Sequence, residues 1–284
     1  MKRIAIMTDS TSDLPASLAD DQQITIIPLY VNFKESFFRD GIDLNAVQLY
    51  DRVAETNEFP KTASPSPSDF ISSFQPVIEA GNDILFIGIS SHISSTIQNA
   101  RIAASEFPKH RIEIIDSLNL STGIGMLVMK AHHLNQENRL SLQALSQSIQ
   151  LLIPKVRTFF AVDTLEYLYR GGRCSSLENL IGGMLRIHPI LAVVDGQIIV
   201  TKKVRGKRDK LLKEMLELHL GDSSLIDPSL VMINHSLCPE DAAFLTSEIK
   251  KILPDTDVTL SEAGCVISSH CGPRTFSIVS LANS

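Results

Sequence analysis

Five hydroxyl-rich loops give this 284-residue chain the composition of an anion site: Thr8–Asp13, Thr62–Ser68, Ser90–Thr96, Ser117–Gly125 and Ser268–Thr275. Each follows or separates an apolar run, where a strand would hand over to a helix. A carboxylate or phosphate held there would accept bonds from hydroxyls and from free N–H groups at helix N-termini. The helix dipole would add about 0.3–1 kcal/mol. Ser and Thr are also ordinary helix caps, so a single loop of this kind reads equally well as structure. None of the five contains a lysine, and no G-x-x-x-x-G-K-[ST] or G-x-G-x-x-G motif occurs; Gly123-Ile124-Gly125 matches only a fragment of the latter. The loops therefore give little support to nucleotide binding. Ser94 and His270 would suit a nucleophile and its base, the alternative being a self-contained small-molecule hydrolase or kinase-like transferase. The G-x-S-x-G elbow is, however, missing.

Other chemistries find less support. The cysteines Cys174, Cys238, Cys265 and Cys271 form no C-x-x-C pair, and Cys265, His270 and Cys271 lack a second pair of ligands. No metal is expected, and the sparse thiols suit a reducing, cytoplasmic setting. With 26 Lys and Arg against 32 Asp and Glu, the net charge of −6 argues against nucleic acid as a partner. One basic cluster stands out, Lys202, Lys203, Arg205, Lys207, Arg208, Lys210 and Lys213. It is either a solvated helix face or a docking patch for a phosphate or an acidic partner.

The elements that must position these loops follow an alternating pattern. Strands are predicted over 2–8, 83–89 and 111–116, and a longer β-rich run over 24–33. Helices are predicted over 44–55, 69–80, 94–107, from 122 through Leu134, and over 142–156. Strands alternating with helices of this length indicate βαβ units on a parallel sheet. Beyond Pro154 come a strand at 159–162 and a glycine-punctuated helical stretch at 165–185. A hairpin, 189–194 and 197–203, turns at Asp195-Gly196. Strands at 230–234, 258–262 and 275–281 and a helix at 240–253 complete the chain. The expectation is two α/β domains with mainly parallel sheets, residues 1–157 and 158–284. The apolar fraction is 44% with only 6% aromatics and no Trp, so the core is aliphatic. No apolar run reaches the roughly 18 residues of a membrane span.

Six blocks taken together resemble the DegV family of bacterial lipid-binding proteins. They are Thr8–Pro15, Lys61–Pro67, Ile89–Gln98, Asp116-Ser117 with Gly123 and Gly125, Asp163–Arg173, and Val266–His270 with Gly272-Pro273. They keep one order across nearly the whole chain. The resemblance implies a long-chain fatty acid, such as palmitate, stearate or oleate, buried between the two domains, with no cofactor and no catalysis by the chain alone. It implies as partner an ATP-binding fatty acid kinase subunit, related to dihydroxyacetone kinases, that phosphorylates the carboxylate. Transient contact with a membrane surface is a further expectation. By motif, Thr62, Ser94 and His270 would bind the carboxylate, helped by the backbone N–H of Ser95. Arg170, Arg173 and Arg205 would contact phosphate or the partner. Three departures stand out, of which the changes at Ser95 and Arg274 touch this region. Ser95 and Arg274 stand where the family usually has Gly, and Ala63-Ser64 replaces a more usual Ser-Gln. Arg274 would bring a fixed positive charge near the carboxylate.

Overall fold

The run Asp83-Ile84-Leu85-Phe86-Ile87-Gly88 is apolar without alternation, as a strand covered on both faces must be. In the computed structural model, which describes residues 3–34, 36–138, 140–173 and 187–283, it lies inside a four-stranded parallel sheet. The order is β2 (Thr25–Ile27), β1 (Ile4–Asp9), β6 (Asp83–Gly88), β7 (Ile112–Asp116). Ile84 and Phe86 face α3 (Pro67–Glu79) and α4 (Thr96–Ala104), packing with Phe70, Phe74 and Ile97. Leu85 and Ile87 face the opposite way, toward α5 (Thr122–Asn138) and α6 (Leu142–Leu152). All four strand residues are fully buried. Ser66 starts α3 as one half of a capping box with Asp69, with Pro67 in the first turn.

The second sheet has six strands in the order β10 (Gln197–Arg205), β9 (Ile187–Val194), β8 (Val156–Ala161), β13 (Thr275–Ala282), β11 (Ile226–Ser236), β12 (Asp257–Glu262). Here the expectation of mainly parallel pairing needs correcting. Only β11 and β12 run parallel; the other four pairings are antiparallel. The hairpin at Asp195-Gly196 imposes the first of these, since both residues have positive φ (48° and 77°), as a tight two-residue turn requires. One face of this sheet is covered by α8 (Arg208–Leu220) and α9 (Pro239–Ile252). The other face turns Met232, Val279 and Leu281 toward α5. Helix α5 therefore lies between two sheets, and its apolar residues are not confined to a single stripe: Ile124, Met126, Leu127, Val128 and Ala131 are all fully buried.

The β-rich run at 24–33 divides. Pro28, with no N–H to donate, separates β2 from β3 (Tyr30–Phe33), which belongs to a third sheet. That antiparallel sheet, β4 (Ser36–Arg39), β3, β5 (Lys61–Ala63), places Thr62 on a strand rather than in a loop. With α2 (Ala46–Thr56) it packs on α10 (Cys265–Cys271), a helix in the segment read from the sequence as a polar loop. The helical stretch expected at 165–185 is a helix at α7 (Glu166–Arg170); residues 174–186, Cys174 among them, lie outside the described residues. Two of the apolar clusters cross residue 157, one through α5 and one through α10.

Candidate functional site

A cavity of about 310 Å3 opens where the loops after β6 and β7 meet α10 and the inner face of the six-stranded sheet. Its apolar wall includes Ile89, Ile93, Leu120, Phe160, Leu168 and Ile198. Thr62, Ser94, Ser95, Arg173 and His270 lie on the same lining. Four expected carboxylate ligands, from three separate stretches of chain, thus share one cavity.

Each polar residue is held by an identifiable local cause. His270 sits on the last turn of α10, and its Nε2 is 2.9 Å from Thr62 Oγ1, a bond whose direction follows the tautomer. Its Nδ1 is buried with no partner among the described residues. Burial, and then the nearby Arg173, push the imidazole down to about 4, so it is neutral at pH 7. Gly171 makes room for it: a Cβ there would stand 2.1 Å from Nδ1. Gly172 has φ +68°, which reverses the chain toward Arg173. The Arg-Gly-Gly-Arg stretch is thereby accounted for in the geometry of His270 and Arg173.

Ser94 accepts a bond from the Thr96 N–H, and its Oγ is 2.9 Å from Thr96 Oγ1. The hydroxyl therefore lies at the start of α4, bonded to Thr96 while His270 is bonded to Thr62, so the two do not form a nucleophile–base pair. Ser95 has φ −78°, where a Cβ costs nothing in backbone strain. Its Oγ lies 2.6 Å from Ser64 Oγ, and Asn99 Nδ2 donates to Ser64 and to the Pro65 carbonyl. Two of the departures noted in the sequence thus bond to one another on the lining. Ser64 and Asn99 were not expected here; the signal was the Ser-for-Gly change at 95.

The three arginines separate. Arg173 is half-buried on the lining, donates to the carbonyls of Gly171 (2.7 Å) and Ile93 (3.4 Å), and pairs with no carboxylate among the described residues. Burial lowers its pKa, so it is a partly desolvated cation beside the hydroxyls. Arg170 instead bonds Glu166 at 2.9 Å and covers the Phe59 ring at 4.2 Å, outside the lining. Arg205 is exposed at the end of β10. The basic cluster is not one face either. Arg208 turns inward to Asp241, and Lys202 pairs with Glu214. Arg274, with φ 61°, directs its charge to Asp163 at 4.0 Å and does not line the cavity.

The carboxylates of the Thr8–Asp13 loop are instead taken up by partners within the protein. Asp9 accepts from the Thr11 N–H, the Thr11 hydroxyl and the Ile89 N–H. Asp13 accepts from Ser121 (2.6 Å), Asn234 Nδ2 (2.7 Å) and the Gly264 N–H (2.8 Å). Burial pushes Asp9 up to about 6 and Asp13 up to about 8, and it raises Asp40 as well. The described cysteines are inert for a related reason. Burial pushes Cys238, Cys265 and Cys271 up to about 12, so no reactive thiolate forms at neutral pH. Among the described residues, no three His, Cys, Asp or Glu side chains converge as metal ligands. Nor is any helix there long and apolar enough to cross a membrane.

Known proteins share this arrangement from end to end. The DegV family model, described as an uncharacterised protein family, matches residues 3–283. A DegV domain-containing protein of Caldanaerobacter subterraneus is 33% identical over 273 residues, covering 96% of each chain. Among solved structures, a fatty-acid-binding DegV family protein from Thermus thermophilus superposes with a TM-score of 0.92 at 32% identity, over 99% of this chain and 100% of that one. DegV of Bacillus subtilis, a fatty acid binding protein, does so with 0.87 at 28% identity over the whole of both chains. With the six sequence blocks, the fold and nearly every residue accounted for in one alignment, the chain belongs to the DegV family.

Proposed function

We propose that this protein binds one long-chain fatty acid, with its tail in the cavity and its carboxylate at Thr62, Ser94, the Ser95 N–H and His270. The observation that carries this reading is the single lining that joins an aliphatic wall to hydroxyls, an imidazole and the partly buried Arg173. The fatty-acid-binding character of the similar Thermus and Bacillus proteins supports it. Each buried methylene contributes about 0.8 kcal/mol, so the tail dominates affinity while the polar end fixes orientation. The tail lies between the two α/β halves, expected as residues 1–157 and 158–284.

In the same reading, the bound acid is offered to a separate ATP-binding kinase subunit. A carboxylate oxygen attacks the γ-phosphorus, and acyl phosphate and ADP form. Neutral hydroxyl and imidazole partners leave the oxygen more nucleophilic than a closed ion pair would. Arg170 and Arg205, both directed outward, are available to that partner or to its phosphates. The acid would be exchanged during brief contact with a membrane surface, by a cytoplasmic protein. Native mass spectrometry of protein purified from a heterologous host tests the first step. A co-purifying long-chain acid is expected. An empty, folded protein that takes up no labelled oleate would overturn the reading, and ATP turnover by the isolated chain would overturn the carrier role.

A further inference from the structure

The cavity lining holds a second polar pair besides the carboxylate cluster. On the inner face of the six-stranded sheet, Phe160, Ser277, Asn234 and Ser261 stand side by side across β8, β13, β11 and β12. Asn234 and Ser277 are direct cross-strand partners, which sets their Cβ atoms about 4.5–5.5 Å apart on one face. Both line the cavity, at 4% and 6% exposure. Asn234 Nδ2 is committed to Asp13 and Ser121, but its Oδ1 has no partner among the described residues, and neither has Ser277 Oγ. One unpaired acceptor and one unpaired hydroxyl thus sit, buried, on neighbouring residues of the same lining.

Their position places them along the tail. Asp13, which holds Asn234, also binds the Gly264 N–H at the start of α10, whereas His270 lies on its last turn. Six residues of helix separate these points, about 9 Å at 1.5 Å per residue. An unsubstituted alkyl chain passing this row would strip water from both groups and return nothing, and an unmet buried polar group is costly. A hydroxyl on the chain would donate to Asn234 Oδ1 and accept from Ser277 Oγ–H, satisfying both.

Resting on the fatty-acid reading above, we propose that Asn234 and Ser277 form a hydroxyl-binding subsite, and that the favoured ligand is a hydroxylated long-chain fatty acid. The other source of such a hydroxyl is a trapped water, and the two are separable. Affinities of the full-length protein are measured by calorimetry for stearate and for stearates hydroxylated at successive positions from mid-chain to the ω end. At least one positional isomer is expected to bind about tenfold more tightly than stearate, equivalent to about 1.4 kcal/mol. Ser277→Ala should shrink that preference and Ser277→Val should abolish it, both leaving stearate bound. Asn234 is unsuitable as the test site because it also holds Asp13. If stearate binds at least as tightly as every isomer, a retained water fills the row and the subsite is wrong. A preference that survives Ser277→Val also overturns it. If no acid binds at all, the fatty-acid reading falls and takes the subsite with it.

Discussion

The loops at Thr8–Asp13 and Ser90–Thr96 look alike in sequence, yet they have opposite fates. In the first, every carboxylate oxygen of Asp9 and Asp13 is met by hydroxyl, amide or backbone N–H donors of this chain. In the second, Ser94 and Ser95 turn onto a cavity beside a half-buried arginine with no carboxylate partner among the described residues. The difference is one of closure. A carboxylate whose two oxygens are both met within the chain is a joint, and a polar cluster left with donors to spare is a place for an anion.

Breaking the joint should give the largest effect. Asp13→Ala strands Ser121, Asn234 and the Gly264 N–H, and a loss of roughly 3–5 kcal/mol is expected in urea denaturation. The pH profile sharpens the point. With its pKa raised from 3.8 to about 8 by burial, Asp13 binds its proton more tightly when folded. Its contribution is full below 3.8 and is lost as pH rises through about 8. In Asp13→Asn that part of the pH dependence should vanish; a slope unchanged from the parent would show that Asp13 is ionised in the fold.

The open cluster should respond in binding rather than folding. His270→Ala removes a charge-assisted contact of about 1.5–3 kcal/mol, so the affinity for oleate should fall roughly ten- to hundredfold while the denaturation midpoint moves little. A midpoint that drops as far as in Asp13→Ala would erase the contrast. Gly171→Ala is a gentler probe of the same site: its methyl would displace the imidazole, and a fall of about tenfold is expected. In the parent protein, His270 should titrate near 4 when empty and higher with the acid bound, because an adjacent carboxylate favours the charged ring. Histidine Cε1–H shifts across a pH series read this directly. The smallest effect belongs to Arg274→Gly. Relief of a left-handed arginine is offset by the lost Asp163 pair and a freer unfolded chain, so stability should change by less than about 1 kcal/mol and binding not at all.

Much of this was legible in the sequence, for physical reasons. Continuous apolar runs such as Ile84–Ile87 mark strands covered on both sides, and Asp195-Gly196 marks the hairpin. The motif blocks single out Ser94, His270 and Thr62, which share one cavity lining, although Thr62 lies on β5 rather than in a loop. What escaped was set by distant pairing. Nothing near residue 275 announces that β13 runs antiparallel between β8 and β11, because its apolar residues serve either direction equally. Whether a serine is spent on a neighbour or left for a ligand depends on contacts such as Asp13 to Asn234, 221 positions apart. Arg274 shows the same dependence: its charge lay near His270 in sequence but is aimed at Asp163 in space.

Helix α5 carries a consequence for how the chain holds together. It is a party wall: Leu85 and Ile87 lean on one side of it, Met232 and Val279 on the other. A chain severed after residue 157 would bare that wall on one fragment and the aliphatic face of β11 and β13 on the other, and neither piece could hide its surface alone. The two halves are therefore expected to melt together, in one cooperative transition.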